Sequence, residues 1–270
     1  VSKKLNSRLS KIIFTIIFFN SLDVDANIND YIYPYSNPSY SNYGTLGLIQ
    51  MPSARMLEEG TLAFSWSGND PYLRGSILAY PFSWLEASYQ YTDVNNALYS
   101  RVSSFSGNQS YKDKSFDAKF LASKEKRYLP QIAVGFRDFA GSGLFTGEYI
   151  VASKFYKNID FSVGMGWGTL SRNKVKNPFT VFSDNFEKRT LNIDTQGGEL
   201  SPGKYFSGQA GLFGGAEIFL PNLKGARLKI EYDGTNFIGW QKQKKGNSVQ
   251  STLEKFMKEV KVSLEKGENV

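Results

Sequence analysis

The chain has 270 residues, a formal charge of +7 and 15% aromatic residues, and it contains neither cysteine nor histidine. Without thiols there is no disulfide framework and no thiolate metal site. Without imidazole, Ser-His-Asp catalysis and histidine-ligated zinc are excluded as well.

Much of the excess positive charge sits near the two ends. Lys3, Lys4, Arg8 and Lys11 precede an apolar run over 12–19 that is broken only by Thr15, and Val24 and Ala26 then supply small residues at the two positions signal peptidase reads. This order predicts a secretory signal over 1–26, cleaved after Ala26, because the run is too short to span a bilayer as a helix. Residues 27–59 read as a lead-in. Over 27–43, Pro34 and Pro38 among Tyr, Ser and Asn predict extended, irregular chain with no packed element. Glu58 and Glu59 are adjacent carboxylates in a turn rather than a converging acid/base pair.

From about residue 60 to 233 the period is two, which predicts strands. Leu85, Ala87, Tyr89 and Tyr91 alternate with Glu86, Ser88 and Gln90, and Phe116, Ala118 and Phe120 with Asp117 and Lys119. Ile132, Val134 and Phe136 alternate with Gln131 and Arg137. Tyr149 and Val151 are set against Glu148 and Lys154, and Phe161, Val163 and Met165 against Asp160 and Ser162. Leu228 and Ile230 alternate with Arg227, Lys229 and Glu231. Connectors are tight at 80–84 and 156–159, and long and polar at 94–114 and 168–207. Short turns on one side and long loops on the other predict an all-β fold: an antiparallel, up-and-down, outer-membrane-type β-barrel, partial at about eight to ten strands.

The two faces then have separate expectations. Glu86, Gln90, Asp117, Lys119, Arg137, Glu148, Lys154 and Asp160 would line the barrel interior, as a hydrated path or polar plug or as a network satisfying itself. Phe116, Phe120, Val134, Phe136, Tyr149, Val151, Phe161, Val163 and Met165 would face lipid. A soluble antiparallel sandwich alternates in the same way, so a secreted glycan-binding β-sandwich stands as an alternative. Gly164-Met-Gly-Trp-Gly168 is spaced like a dinucleotide loop, but no helix follows to meet a pyrophosphate, so it reads as strand with a small-residue inner face.

Three segments, in one-letter code NYGTLGLIQMPSARML (42–57), EGTLAF (59–64) and PFSWLEASYQYTD (81–93), resemble the YjbH-like family of outer-membrane proteins linked to exopolysaccharide production. The likeness runs on, more loosely, to about residue 233. It implies a non-enzymatic outer-membrane component of exopolysaccharide biosynthesis or secretion in a Gram-negative envelope. Outer-membrane lipid, polysaccharide and other export proteins are the expected partners. No catalytic residue, cofactor or metal is implied.

A second resemblance follows at the C-terminus. LKIEYDGTNFIGWQKQ (228–243) and SVQSTLE (248–254) are similar to the opening strand and helix of the A-type tRNA pseudouridine synthases. Ser251 and Glu254 form a capping-box pair, and Val249, Leu253, Phe256, Met257, Val260 and Leu264 fall on one face of an amphipathic helix. The Arg-Thr-Asp segment that carries that family's catalytic Asp is absent, so no RNA chemistry is assigned, and 234–270 reads as a fragment joined to the strand region. A truncated RNA-modifying enzyme is the alternative this match keeps open. Lys242, Lys244 and Lys245 would be the remnant RNA contacts, through phosphates, although nucleic acid is not an expected partner of an exported chain.

Overall fold

Alternation carries the fold. A computed structural model describes residues 38–172, 175–189, 202–220 and 226–232, and the predicted signal segment, the C-terminal helix and Lys242, Lys244 and Lys245 lie outside them. Nine strands run in chain order as one antiparallel sheet, each paired with its sequence neighbours. They are β1 (Leu62–Asn69), β2 (Tyr72–Phe82), β3 (Leu85–Leu98), β4 (Ser110–Ser123), β5 (Gln131–Arg137), β6 (Gly147–Tyr156), β7 (Ile159–Gly166), β8 (Gly211–Phe219) and β9 (Arg227–Tyr232). The stretch shared by the two sequence resemblances is therefore the ninth strand, with Lys229 opposite Glu217 and Glu231 opposite Gly215.

The up-and-down antiparallel order matches the sequence expectation, but the described strands do not close into a barrel. β1 pairs only with β2, and β9 only with β8. There is one sheet among the described residues and not two facing ones, so the sandwich alternative finds no second layer. No helix among them is long and apolar enough to cross a membrane.

Turns are tight at 83–84 and 157–158 on one end of the sheet. At the other end lie the 99–109 loop, which carries α1 (Ser103–Ser106), the 138–146 loop and the long 167–210 connection. The described parts of this last connection are more structured than its polar composition suggests. Trp167 stacks on Phe179 at 5.3 Å, and Phe206 meets both rings edge-on at 5.1 and 5.7 Å. Asn177 ties the cluster by accepting from the Phe179 N–H and donating to the carbonyls of Phe186 and Phe206.

The two faces of the sheet are inverted relative to a water-soluble protein. One face buries Arg74, Glu86, Gln90, Asp113, Asp117, Lys119, Arg137, Asp160 and Glu217. The other leaves Leu62, Phe64, Trp66, Ile77, Phe116, Phe120, Phe161, Val163 and Leu212 exposed by 38–74%. Apolar residues contiguous over most of a sheet are far more than the scattered exposure ordinary surfaces carry. At the tight-turn end the rings of Phe82, Trp84 and Phe120 stack in succession at 5.2 and 6.2 Å.

The facing of one strand needs correction. In β6, Gly135 faces Tyr149 and Ala133 faces Val151 across the ladder, so Tyr149 and Val151 sit on the buried face at 3% and 0% exposure and not toward the outside. Gly135 makes room for this: a Cβ there would stand 2.1 Å from the Tyr149 ring. By the same alternation Glu148 and Lys154 leave the polar face for the outer one. Phe136 is outward as expected but is covered by Tyr205 and Phe206, at 5.2 and 5.5 Å.

Candidate functional site

The buried polar face is occupied by the chain's own lead-in. Residues 39–56 run along it, with Leu46, Leu48, Met51 and Ala54 at 0–2% exposure. The expectation of unpacked chain over 27–43 therefore fails for the described residues 38–43. One short segment touches strands from the first to the ninth, so the sheet must curl around it, and we call this segment the plug.

Its contacts are specific. At one side Ser67 of β1 donates to the Asn42 carbonyl at 2.7 Å, and the Gln90 side-chain amide of β3 donates to the Tyr43 carbonyl. Leu46 packs on Leu78 and Tyr80 of β2. In the middle, Arg137 donates to the Gln50 carbonyl at 2.9 Å, Gln131 to the Ala54 carbonyl at 2.7 Å, and the Ala54 N–H to the Ser153 hydroxyl at 2.8 Å. At the far side the Lys229 ammonium donates to the carbonyls of Tyr40, Gly47 and Leu48 at 2.8–2.9 Å, which uses all three of its donors. Glu231 Oε2 accepts the successive N–H groups of Ile49, Gln50 and Met51 at 2.7–2.8 Å, an anion held in a backbone nest. Gly44, at φ +100°, lets the plug pass β2; a Cβ there would lie 2.3 Å from the Ser76 hydroxyl.

Arg55 is the plug's strongest tie. Its guanidinium meets both oxygens of Asp160 at 2.6 and 2.8 Å and Glu125 at 2.7 Å. Burial opposes the Arg55 charge, but the hydrogen bonds and attraction from Asp160 and Glu125 outweigh it and hold the group above its ordinary pKa.

Of the residues read from sequence as interior, Glu86, Gln90, Asp117, Lys119, Arg137 and Asp160 lie on the plugged face. Glu86 pairs with Lys119 at 2.8 Å and accepts from the Tyr80 hydroxyl at 2.5 Å. Asp117 accepts the Asp138 N–H at 2.8 Å. Glu148 and Lys154 are not among them. Glu148 is capped on the outer face by Arg189, at 2.7 and 2.9 Å, and by the Phe206 N–H at 2.9 Å. Lys154 binds Glu125 at 2.9 Å and the Lys126 carbonyl. Sequence reasoning missed Arg55, Lys229 as a plug ligand, and Tyr43. The signal available was the density of apolar residues over 43–56, which suits a buried strip more than a linker.

Between the plug and the long loops lies a cavity of about 690 Å³, lined in part by Tyr43, Tyr72, Arg74, Tyr111, Arg137 and Phe145. Burial, and then the charge of Asp117, hold the Tyr43 phenol well above its ordinary pKa, so it stays neutral. The 138–146 loop forms one wall. Asp138 anchors it by accepting the Phe145 N–H at 2.9 Å, and burial, with repulsion from Asp113, raises its carboxyl from 3.8 to about 6.

The folded state therefore binds the Asp138 proton more tightly than the unfolded chain does. Its contribution to stability is complete below pH 3.8 and is lost as pH rises through about 6. Amide protection in 138–146 is expected to fall between pH 5 and 7.5, and Asp138→Asn to flatten that slope, since Asn tolerates the left-handed φ of 49°. An unchanged slope in the variant would assign the effect elsewhere.

Comparison with known proteins adds three findings. The family model described as exopolysaccharide biosynthesis protein YbjH matches residues 39–258, which takes in the plug and all nine strands. The chain is 46% identical over 201 residues to the uncharacterized lipoprotein YjbH of Escherichia coli K12, covering 74% of this chain and 28% of that relative. Short stretches match tRNA pseudouridine synthase A. They are 53% identical over 36 residues in Acetivibrio thermocellus and 59% over 34 in Paramagnetospirillum magneticum, each covering 13% of this chain and 15% and 13% of the relative. The chain thus spans less than a third of the length of the curated relatives it matches. No solved structure matches.

Proposed function

The chain belongs to the YjbH exopolysaccharide biosynthesis family, and on that premise we propose that it is a plugged, lipid-embedded β-domain of the outer membrane that takes part in exopolysaccharide secretion without catalysing a reaction. The observation that carries this reading is the inversion of the sheet: ion pairs and amides under the plug, and rings and aliphatic side chains on the open face. A bilayer can be crossed only by helices or by sheet with its backbone groups paired, and an apolar outer face with aromatics near strand ends is the pattern of a lipid-facing sheet. The lipoprotein name of the relative supports an envelope location. Outer-membrane lipid, the polysaccharide and other export proteins are then the partners, and no cofactor enters.

The absence of cysteine makes the test clean, because every introduced thiol is unique. In intact envelopes, Val163→Cys and Phe116→Cys are expected to resist a water-borne maleimide, while Ser142→Cys in the loop is labelled. The same preparations should show heat-modifiable gel migration and should release polysaccharide when the gene is present. Rapid labelling at residue 163 would overturn the lipid-embedded reading.

A further inference from the structure

The cavity at the loop end holds two buried cations that form no ion pair among the described residues; the buried carboxylate of Asp117 acts on both only at longer range. Arg74 is 6% exposed, and among the described residues it makes no ion pair; its Nε has no hydrogen-bond partner. It is instead surrounded by rings, 4.5 Å from the centre of Tyr72 and 5.2 Å from those of Tyr43 and Phe145. Arg137, also 6% exposed, stands 3.9 Å from the same Tyr43 ring; one of its nitrogens reaches the Gln50 carbonyl, and its Nε too is without a partner. Cation–π contact stabilises a guanidinium only modestly, and a buried guanidinium with idle donors is costly until an acceptor arrives. The lining holds Arg172 as a third basic side chain against one acid, Asp70.

We propose that this cavity is a docking site for an anionic sugar residue, a uronate or a similarly carboxylated unit of a polysaccharide. The assignment rests on the exopolysaccharide reading above and names the chemistry of its ligand. A planar carboxylate takes two parallel N–H donors from a guanidinium, and Arg74 and Arg137 are the groups with donors to give. The flat C–H faces of a pyranose ring stack on aromatic rings, which Tyr72, Tyr111 and Phe145 provide, and Tyr hydroxyls add polar contacts at ring edges. The volume of about 690 Å³ falls within the range of small-ligand sites. The site faces the long loops, and the plug forms its floor through Tyr43, Gln50 and Met51.

The test is calorimetric titration of the full chain in detergent with oligogalacturonate, with a neutral cello-oligosaccharide and with inorganic phosphate. The uronate chain is expected to bind at least tenfold more tightly than either control. Arg74→Gln should lower its affinity at least tenfold, and Leu144→Trp, which fills the cavity mouth at a partly exposed position, should do so with both buried cations in place. Equal binding of the neutral chain, equal binding of phosphate, or full affinity in Leu144→Trp would each overturn the proposal. Heat-modifiable migration and polysaccharide release are read on the same preparations. A chain that stays embedded and supports release but ignores uronate fails here alone, whereas one that binds uronate yet never enters the membrane overturns the secretion reading instead.

Discussion

Replacing Arg55 by leucine is expected to destabilise the plugged sheet by about 3–5 kcal/mol, the cost of removing one partner from a buried ionic network. The loss is large because Arg55 serves two acids at once. Its side chain and those of Glu125 and Asp160 are 13, 6 and 11% exposed. Glu125 keeps Lys154 after the substitution, but among the described residues Asp160 keeps no cation. Lysine should recover only part, since a point charge cannot present two forks to Asp160 and a third donor to Glu125. Arg55→Leu combined with Asp160→Asn should lose less than the sum of the two single changes, because the orphaned charge is gone. Urea unfolding followed by tryptophan fluorescence measures all three, and a loss under 1 kcal/mol for Arg55→Leu would mean that the plug is not held there.

Arginine at Val163 should cost about 2–4 kcal/mol if this part of β7 lies near the middle of a bilayer. At an ordinary water-exposed position the same change would stay within about 0.5 kcal/mol. Val163 is 62% exposed, so packing contributes little and the surrounding solvent decides. Its neighbour Ser162 is not the mild control that alternation alone suggests. Ser162 is 3% exposed and bonded to Ser153, which in turn holds the plug through the Ala54 N–H. Arginine there should be as damaging, through loss of the plug. The proper control is the half-exposed loop residue Ser142, whose side-chain contact is local, to the Leu144 N–H. Equal tolerance at residues 163 and 142 in lipid vesicles would argue against an embedded outer face.

These two cases show where the sequence was legible and where it was not. Alternation identified β3 to β7 and β9 and the antiparallel meander, because one face of each strand must differ from the other, but it picked out no run for β1, β2 or β8. It gave the wrong phase in β6. There Tyr149, Ile150, Val151 and Ala152 are apolar on both faces, and the only charges, Glu148 and Lys154, share one parity. The inner face can be apolar at that point because Met51 and Ala54 of the plug pack on Ala133, Val151 and Phe213. The outer face can be charged because Arg189 and Glu125 neutralise those two residues. Both compensations come from segments far away in sequence, so no window around β6 contains them. The plug was missed for the same reason. Its partners Lys229 and Glu231 lie about 180 residues downstream, and a local reading sees a run dense in apolar residues but nothing for it to pack on.

That separation also dictates an order of events. The plug precedes every described strand in the chain, yet the N–H groups of Ile49, Gln50 and Met51 and the carbonyls of Gly47 and Leu48 are satisfied by the ninth strand. Until β9 is in place those groups have only water as a partner, and water must leave when the sheet curls. Contacts spanning so many residues require loop closure before they return any stabilisation, which makes them slow to form. Hairpins β1–β2, β2–β3 and β6–β7 can form early from neighbouring residues, but the plug is locked only in the last step. Refolding should therefore show early strand signal and late protection of 47–51, with no stable product from a chain that stops before residue 227.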